Sequence, residues 1–189
     1  MSEGAALRVA LELLHMPSRA RSLRAHPLPA DMLSLLKIAA GDETAVNDAA
    51  HLFDRSRDVV RNAAAFFIEQ ILFFPEADSY RVLGAADGAS AVELRRNMAL
   101  LMRWLHPDVD ANGARLMLAA RVTRAWETVK TPDRRAAYDR AQAASKRKSS
   151  SQKARAMVKA RRDGQRGDNA IRLRQDQCGA QARSTQASC

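Results

Sequence analysis

The sequence predicts an all-α fold, and three observations carry that prediction. Apolar residues recur at helical spacing: Leu94, Met98, Leu101 and Leu105 are separated by four, three and four positions, and Leu118, Val122, Ala125 and Val129 form a second such set. Residues three and four apart share one helical face, so each set reads as a stripe turned toward a core. Helix-opening residues precede the runs, as in the S-x-x-E box of Ser90 and Glu93, where hydroxyl and carboxylate satisfy the first free N–H groups. Proline or glycine follows them, at Pro17, Gly41, Pro75, Gly84 and Pro107, because neither residue continues a helix well.

The elements follow in order. Residues 4–16 read as a short helix with Leu7, Leu11 and Leu14 on one side. Ser18 to Pro29, rich in proline and arginine, is expected to be an exposed connection. Asp31 is placed to cap a second helix carrying Met32, Leu35, Leu36 and Ala39, and a weaker helical pattern covers 43–54. The stretch from Asp58 to Phe74 is the most apolar in the chain. Apolar residues on most of a helix's circumference indicate burial on several sides; a membrane-surface or partner-binding helix is the rival reading. A single helical turn, 78–83, opens at Asp78 and closes at Gly84. Two long helices, 90–106 and 114–130, come next, and Thr131-Pro132 starts a last short helix through Tyr138 and Asp139. Trp126 and Tyr138 are expected in the core.

Three segments emerge. Residues 1–76 form a helical N-terminal domain of unassigned role, 77–142 a second helical module, and 143–189 a basic, mostly disordered tail. The tail holds too little apolar surface to offset the entropy of ordering it, about 1–2 kcal/mol per residue.

The net charge of +10 over 189 residues is unevenly spread. Residues 1–77 carry 8 basic and 10 acidic side chains, 78–140 carry 11 and 8, and 141–189 carry 12 and 3. The basicity thus belongs mainly to the tail, whose clusters Lys146-Arg147-Lys148 and Arg161-Arg162 suit weak electrostatic contact with nucleic acid or an anionic surface. A solubilising role is the simpler alternative. Cys178 and Cys189 have neither zinc-site spacing nor a disulfide framework. No run reaches the roughly 18 apolar residues of a transmembrane helix, and no secretory signal pattern opens the chain. The cytoplasm is therefore the expected compartment.

The functional candidate is His106-Pro107-Asp108, a polar corner between the two long helices. Pro107 lacks an N–H and restricts the residue before it, so the upstream helix must stop there. Asp108 is a short anion able to accept a charge-assisted bond, and His106 can donate or accept near neutral pH. Neither a nucleophile motif nor a second His/Asp cluster accompanies them, so no catalytic residue, cofactor or metal is expected. His15, His26 and His51 are isolated.

Residues 78–140 resemble a J domain, the module that defines the DnaJ class of co-chaperones. The matching positions are Asp78, Tyr80, Val82, Leu83 and Gly84 at the opening, His106-Pro107-Asp108 in the middle, and Ala125, Trp126, Glu127, Val129 and Arg134 to Asp139 at the close. The resemblance implies an antiparallel hairpin of the two long helices with the tripeptide in its loop. It also implies a partner, a DnaK-class chaperone ATPase, docked by the loop and the basic face of the preceding helix. Docking would stimulate ATP hydrolysis allosterically, the protein being no enzyme itself. With about 100° per residue, Arg96 and Arg103 fall opposite the apolar stripe and Arg95 on its flank, which makes these three the docking candidates. Lacking a Gly/Phe-rich linker and a C-x-x-C-x-G-x-G zinc module, the chain is similar to the stripped-down third class of the family.

The helix departs from the family pattern at Met98, Ala99 and Leu100, where further basic residues are common, and at Trp104, where a basic residue is frequent. Leu100 is expected to point away from the hairpin core and Trp104 to lie on its rim. Two readings follow. Either the N-terminal domain covers these residues through Phe73 or Phe74, or they form an apolar surface for a partner other than DnaK, the J fold surviving as a scaffold. The oligomeric state is open.

Overall fold

A computed structural model describes residues 4–106 and 113–148. All regular structure among them is helical. The described residues through Tyr138 fall in one unit, and those from Asp139 onward in a second.

Helix α5 (Arg57–Phe67) is the axis of the N-terminal part. Ser56 caps it, its Oγ accepting the Val59 N–H at 3.4 Å. Val60, Ala63, Ala64 and Phe67 recur at helical spacing and are fully buried. Helices α1 (Ala5–His15), α3 (Met32–Ala39) and α4 (Glu43–Phe53) pack against it. Ala6 and Ala10 of α1 are buried in the same core as Ala63 and Ala64 of this helix.

After Phe67 the ladder widens into a π turn, Ile68–Leu72, and the Phe73 N–H reaches back five residues to the Ile68 carbonyl at 3.2 Å. One extra residue per turn rotates the apolar positions, so that Ile68, Ile71, Leu72 and Phe73 are all buried while Glu69 stays exposed. The apolar stretch expected as a single helix over 58–74 is therefore an α segment and a π segment. It is core rather than a free surface.

Two local expectations need correction. Ser18 to Pro29 was expected to be a connection, yet Pro17–Arg19 form a 3₁₀ turn that leads into a helix, α2 (Ala20–Ala25). Proline is compatible with a first helical turn, where its missing N–H has no partner to lose. Arg24 then donates from Nε to the Gln70 carbonyl at 2.8 Å, fastening this segment to the π turn. Asp31 does not cap α3 with its side chain: it sits at φ +66°, and its carboxylate accepts from the Gly4 N–H at 3.2 Å and the Ser34 hydroxyl at 2.7 Å.

The second half contains α6 (Ser79–Val82), α7 (Ala91–Trp104) and α8 (Gly113–Val129). Asp78 caps α6 through the Arg81 N–H at 2.9 Å, and Ser90 caps α7 through the Glu93 N–H at 3.1 Å. Helices α7 and α8 are antiparallel. Arg115, at the start of α8, bonds the Trp104 carbonyl at the end of α7, while Arg135, beyond the end of α8, bonds the Ala89 carbonyl before α7 begins. Leu94, Leu101, Val122, Ala125 and Val129 meet in the core between them.

Residues 132–148 form a last helix, α9. Its start matches the Thr131 cap, whose Oγ1 accepts from the Arg134 N–H at 3.4 Å. It runs past the expected end near Asp139, and residues 143–148, placed by the sequence in a disordered tail, are helical. Alanine, lysine and arginine all favour helix, which sustains it with little burial. The rest of the expected tail lies outside the described residues. Among the described residues, no helix is long and apolar enough to cross a membrane.

One apolar core runs from Ala6 to Val129 without a break at residues 76–77. Helix α3 packs on α7 as well as on α5. Gly84, at φ +63°, lies at this junction. A Cβ there would sit 3.2 Å from Leu36 Cδ1 and 3.3 Å from Leu72 Cδ2.

Candidate functional site

Helix α7 has two unlike faces. Leu94, Asn97, Leu101 and Trp104 are buried, whereas Arg95, Arg96, Ala99 and Arg103 are exposed. Spacings of three and four put the exposed set on one strip, and His106, also exposed, continues it past the end of the helix. The three arginines chosen from helical phase are thus all on the solvent side. The His106 N–H donates to the Arg103 carbonyl at 3.3 Å. Pro107 and Asp108 lie outside the described residues.

Among the described residues, no carboxylate neutralises the arginines of the strip. Elsewhere acidic and basic side chains pair off: Glu12 with Arg19, Glu43 with Arg57 and Arg61, Glu127 with Lys130 and Arg134. Among the described residues, Arg95, Arg96 and Arg103 have no such carboxylate, so their field is available to an acidic surface. Glu127 shows what pairing does: hydrogen bonds from Lys130 and then Arg134 hold its carboxyl below the usual carboxylate range.

Of the two readings left open for Trp104, the structure shows cover by Phe73. Trp104 is only 6% exposed, not on a rim, and its ring stacks on Phe73 with centroids 6.3 Å apart and planes 11° from parallel. Leu100 is half-buried against the core. The apolar surface that an unrelated partner would need around Leu100 and Trp104 is therefore largely occupied by the protein itself. Arg115 donates from Nη1 to the Trp104 carbonyl at 2.9 Å, and its guanidinium lies 5.4 Å from the Trp104 ring centroid. Arg121 donates to the Phe73 carbonyl at 2.7 Å and also to the Phe74 and Pro75 carbonyls. These carbonyls lie at or just beyond the ends of helical segments, where a guanidinium supplies both donors and a favourable charge.

Asn97 is the buried polar residue of α7, and its Nδ2 donates to the Gly84 carbonyl at 3.2 Å. A polar residue in the apolar phase of the helix was a legible signal for it. Nothing in the one-dimensional pattern marked Arg115 or Arg121, because their partners lie 11 to 48 residues away.

Comparison with known proteins finds similarity over one third of the chain. The Chaperone protein DnaJ of Ruegeria sp. (strain TM1040) is 38% identical over 64 residues, which is 33% of this chain and 17% of that protein. The proteins of the same name from Thermosynechococcus vestitus and Tropheryma whipplei (strain Twist) are 38% and 40% identical over 63 residues, 33% of this chain and 17% and 18% of theirs. The chain thus spans less than a fifth of the length of the curated relatives it matches. No family model matches it, and no solved structure does. The similarity supports J-domain kinship for a segment of that size.

Proposed function

We propose that this protein is a co-chaperone that docks on a DnaK-class chaperone ATPase and stimulates its ATP hydrolysis. The His106-Pro107-Asp108 corner makes the decisive contact, and Arg95, Arg96 and Arg103 steer and orient the encounter. The observation that carries this reading is the exposed basic strip of α7 leading to His106, whose three arginines have no carboxylate partner among the described residues. Exposed charges of this kind raise encounter rates and fix orientation more than they add affinity. The hydrolysing site belongs to the partner, whose conformational equilibrium the corner biases by differential contact. The J-like segment runs directly into an Ala-, Lys-, Arg- and Ser-rich stretch where a Gly/Phe-rich linker would stand, which supports the third-class reading. The cytoplasm is the compartment proposed.

Single-turnover ATP hydrolysis by the cognate DnaK-class ATPase, with the intact chain and with Asp108→Asn, tests the proposal. The intact chain is expected to stimulate and the variant to lose most of the effect, since the amide cannot accept the same charge-assisted bond. Absent stimulation by the intact chain, or equal stimulation by the variant, would refute it.

A further inference from the structure

An open groove of about 400 Å³ lies between α8 and the stretch from Pro75 through α6, and no residue of α7 lines it. One wall is a single face of α8, where Met117, Ala120, Arg124 and Thr128 stand three, four and four residues apart. That face runs about 16 Å along the helix, the reach of about five extended residues. Inside, the lining is apolar and short: Ala77, Val82, Ala120 and Ala125, three of them alanines that leave the space unfilled. Met117, 74% exposed, adds an apolar side chain at the rim.

Both ends of the groove are cross-linked. Arg121 donates to the Phe73 carbonyl at 2.7 Å and to the Phe74 and Pro75 carbonyls, tying α8 to the start of the facing wall. Further along, the Thr128 hydroxyl donates to the Ser79 hydroxyl at 2.8 Å. A space held between two such links keeps its shape when empty, so little ordering is needed on binding. Its charge has one sign. Arg121 and Arg124 line it and no acidic side chain does; Glu76 and Asp78, neighbours of the wall in sequence, are not among the lining residues. Carbonyl partners leave the Arg121 charge uncompensated, and Arg124 is exposed with no carboxylate partner among the described residues.

We infer that this groove is a docking site for an acidic segment of a partner protein, with an apolar side chain seated on Val82 and Ala125 and carboxylates set against Arg121 and Arg124. The inference goes beyond the co-chaperone reading and does not depend on it. Charge complementarity fixes the sign of the occupant, since the free guanidinium of Arg124 is a fork suited to a carboxylate. The apolar lining fixes the anchor, because only an apolar side chain gains by leaving water there. A nucleic-acid strand fits less well: no aromatic side chain lines the groove to stack a base.

The test uses the full chain and the fluorescence anisotropy of labelled nonapeptides. The first set holds Leu, Ile or Phe at two central positions among Asp and Glu; a second replaces the acids by Lys, and a third replaces the apolar residues by Ser. The acidic–apolar peptides are expected to saturate, and the other two sets to bind at least about tenfold more weakly, the scale of one buried apolar side chain or one misplaced charge. Ala120→Phe fills the groove from an exposed helical position, and Arg124→Glu reverses the charge of the rim. Each should weaken binding by about tenfold. Arg21→Glu makes the same change of net charge on an exposed residue of α2 and should leave binding within about twofold, the solvent screening it. Equal binding of the lysine or serine peptides, full affinity in either folded groove variant, or an equal loss in Arg21→Glu overturns the inference. So does the absence of saturable binding by every acidic–apolar peptide. A single-stranded oligonucleotide held with the same dependence on Ala120 and Arg124 would assign the groove to nucleic acid and overturn it too. If Ala120→Phe loses its helical circular dichroism, Arg124→Glu decides alone.

Discussion

The Tyr138 hydroxyl accepts a hydrogen bond from the Ser79 backbone N–H at 2.8 Å, across 59 residues of chain. The Tyr138 ring also meets Tyr80 edge-on, with centroids 5.9 Å apart and planes at 61°. The opening D-x-Y block and the closing Y-D block of the J-like segment are thus held together by one side chain. The Ser79 N–H is one of the first-turn donors of α6, which has no intrahelical acceptor.

Tyr138→Phe keeps the ring contact and removes the acceptor. The variant should lose about 1 kcal/mol, the usual scale of a part-buried hydrogen bond. Urea denaturation at constant slope measures it, and an unchanged midpoint would show that water replaces the hydroxyl without loss.

Gly84→Ala adds a methyl where φ is +63° and Leu36 and Leu72 already close the space. Left-handed backbone alone costs an L-residue about 1–2 kcal/mol, and the two leucines must shift besides. A total near 2 kcal/mol is expected from the denaturation midpoint. Equal stability of variant and wild type would mean that this junction relaxes freely.

Replacing Arg95, Arg96 and Arg103 together by alanine should raise the half-saturating concentration for ATPase stimulation by about tenfold at low salt, the range over which steering charges act. The plateau should hold, because His106-Pro107-Asp108 is intact. Near 0.5 M salt, where the Debye length falls to about 4–5 Å, variant and wild type should converge. A salt-independent difference would assign these residues to direct, desolvated contact instead.

Glu127 joins the end of α8 to the start of α9 through Lys130 and Arg134, both 2.7 Å away. Its carboxyl titrates below the ordinary value of 4.5, first because of the Lys130 bond and then the Arg134 bond. The folded state therefore favours the ionised form. The stabilisation is complete above the unfolded value near 4.5 and is lost as pH falls through the lower folded value. Glu127→Gln should flatten that part of the acid limb of the stability–pH profile. Parallel profiles for variant and wild type below pH 4.5 would contradict it.

Much of this architecture was legible locally. The caps at Asp78, Ser90 and Thr131 were readable because a cap bonds an N–H only two or three residues away. The solvent-facing placement of Arg95, Arg96 and Arg103 followed from helical phase for the same reason. Where local rules compete, reading failed. Pro17 does stop α1 after His15 but also opens a 3₁₀ turn, which was not read, and Asp31 looked like a cap while its carboxylate turns to Gly4. The apolar run after Asp58 gave no sign of its π turn, which is selected by what the surrounding helices allow Ile68 to Phe73 to bury.

By itself, then, the sequence determined the helical class, the order of the elements and the basic strip ending at His106, since periodicity and capping act over a single turn. Tertiary structure alone decided that Trp104 is covered, that Phe73 covers it, and that Arg115 and Arg121 hold the two in register. Those contacts join residues far apart in the chain, and a stacking plane or a carbonyl left free at a helix end leaves no pattern in composition or spacing.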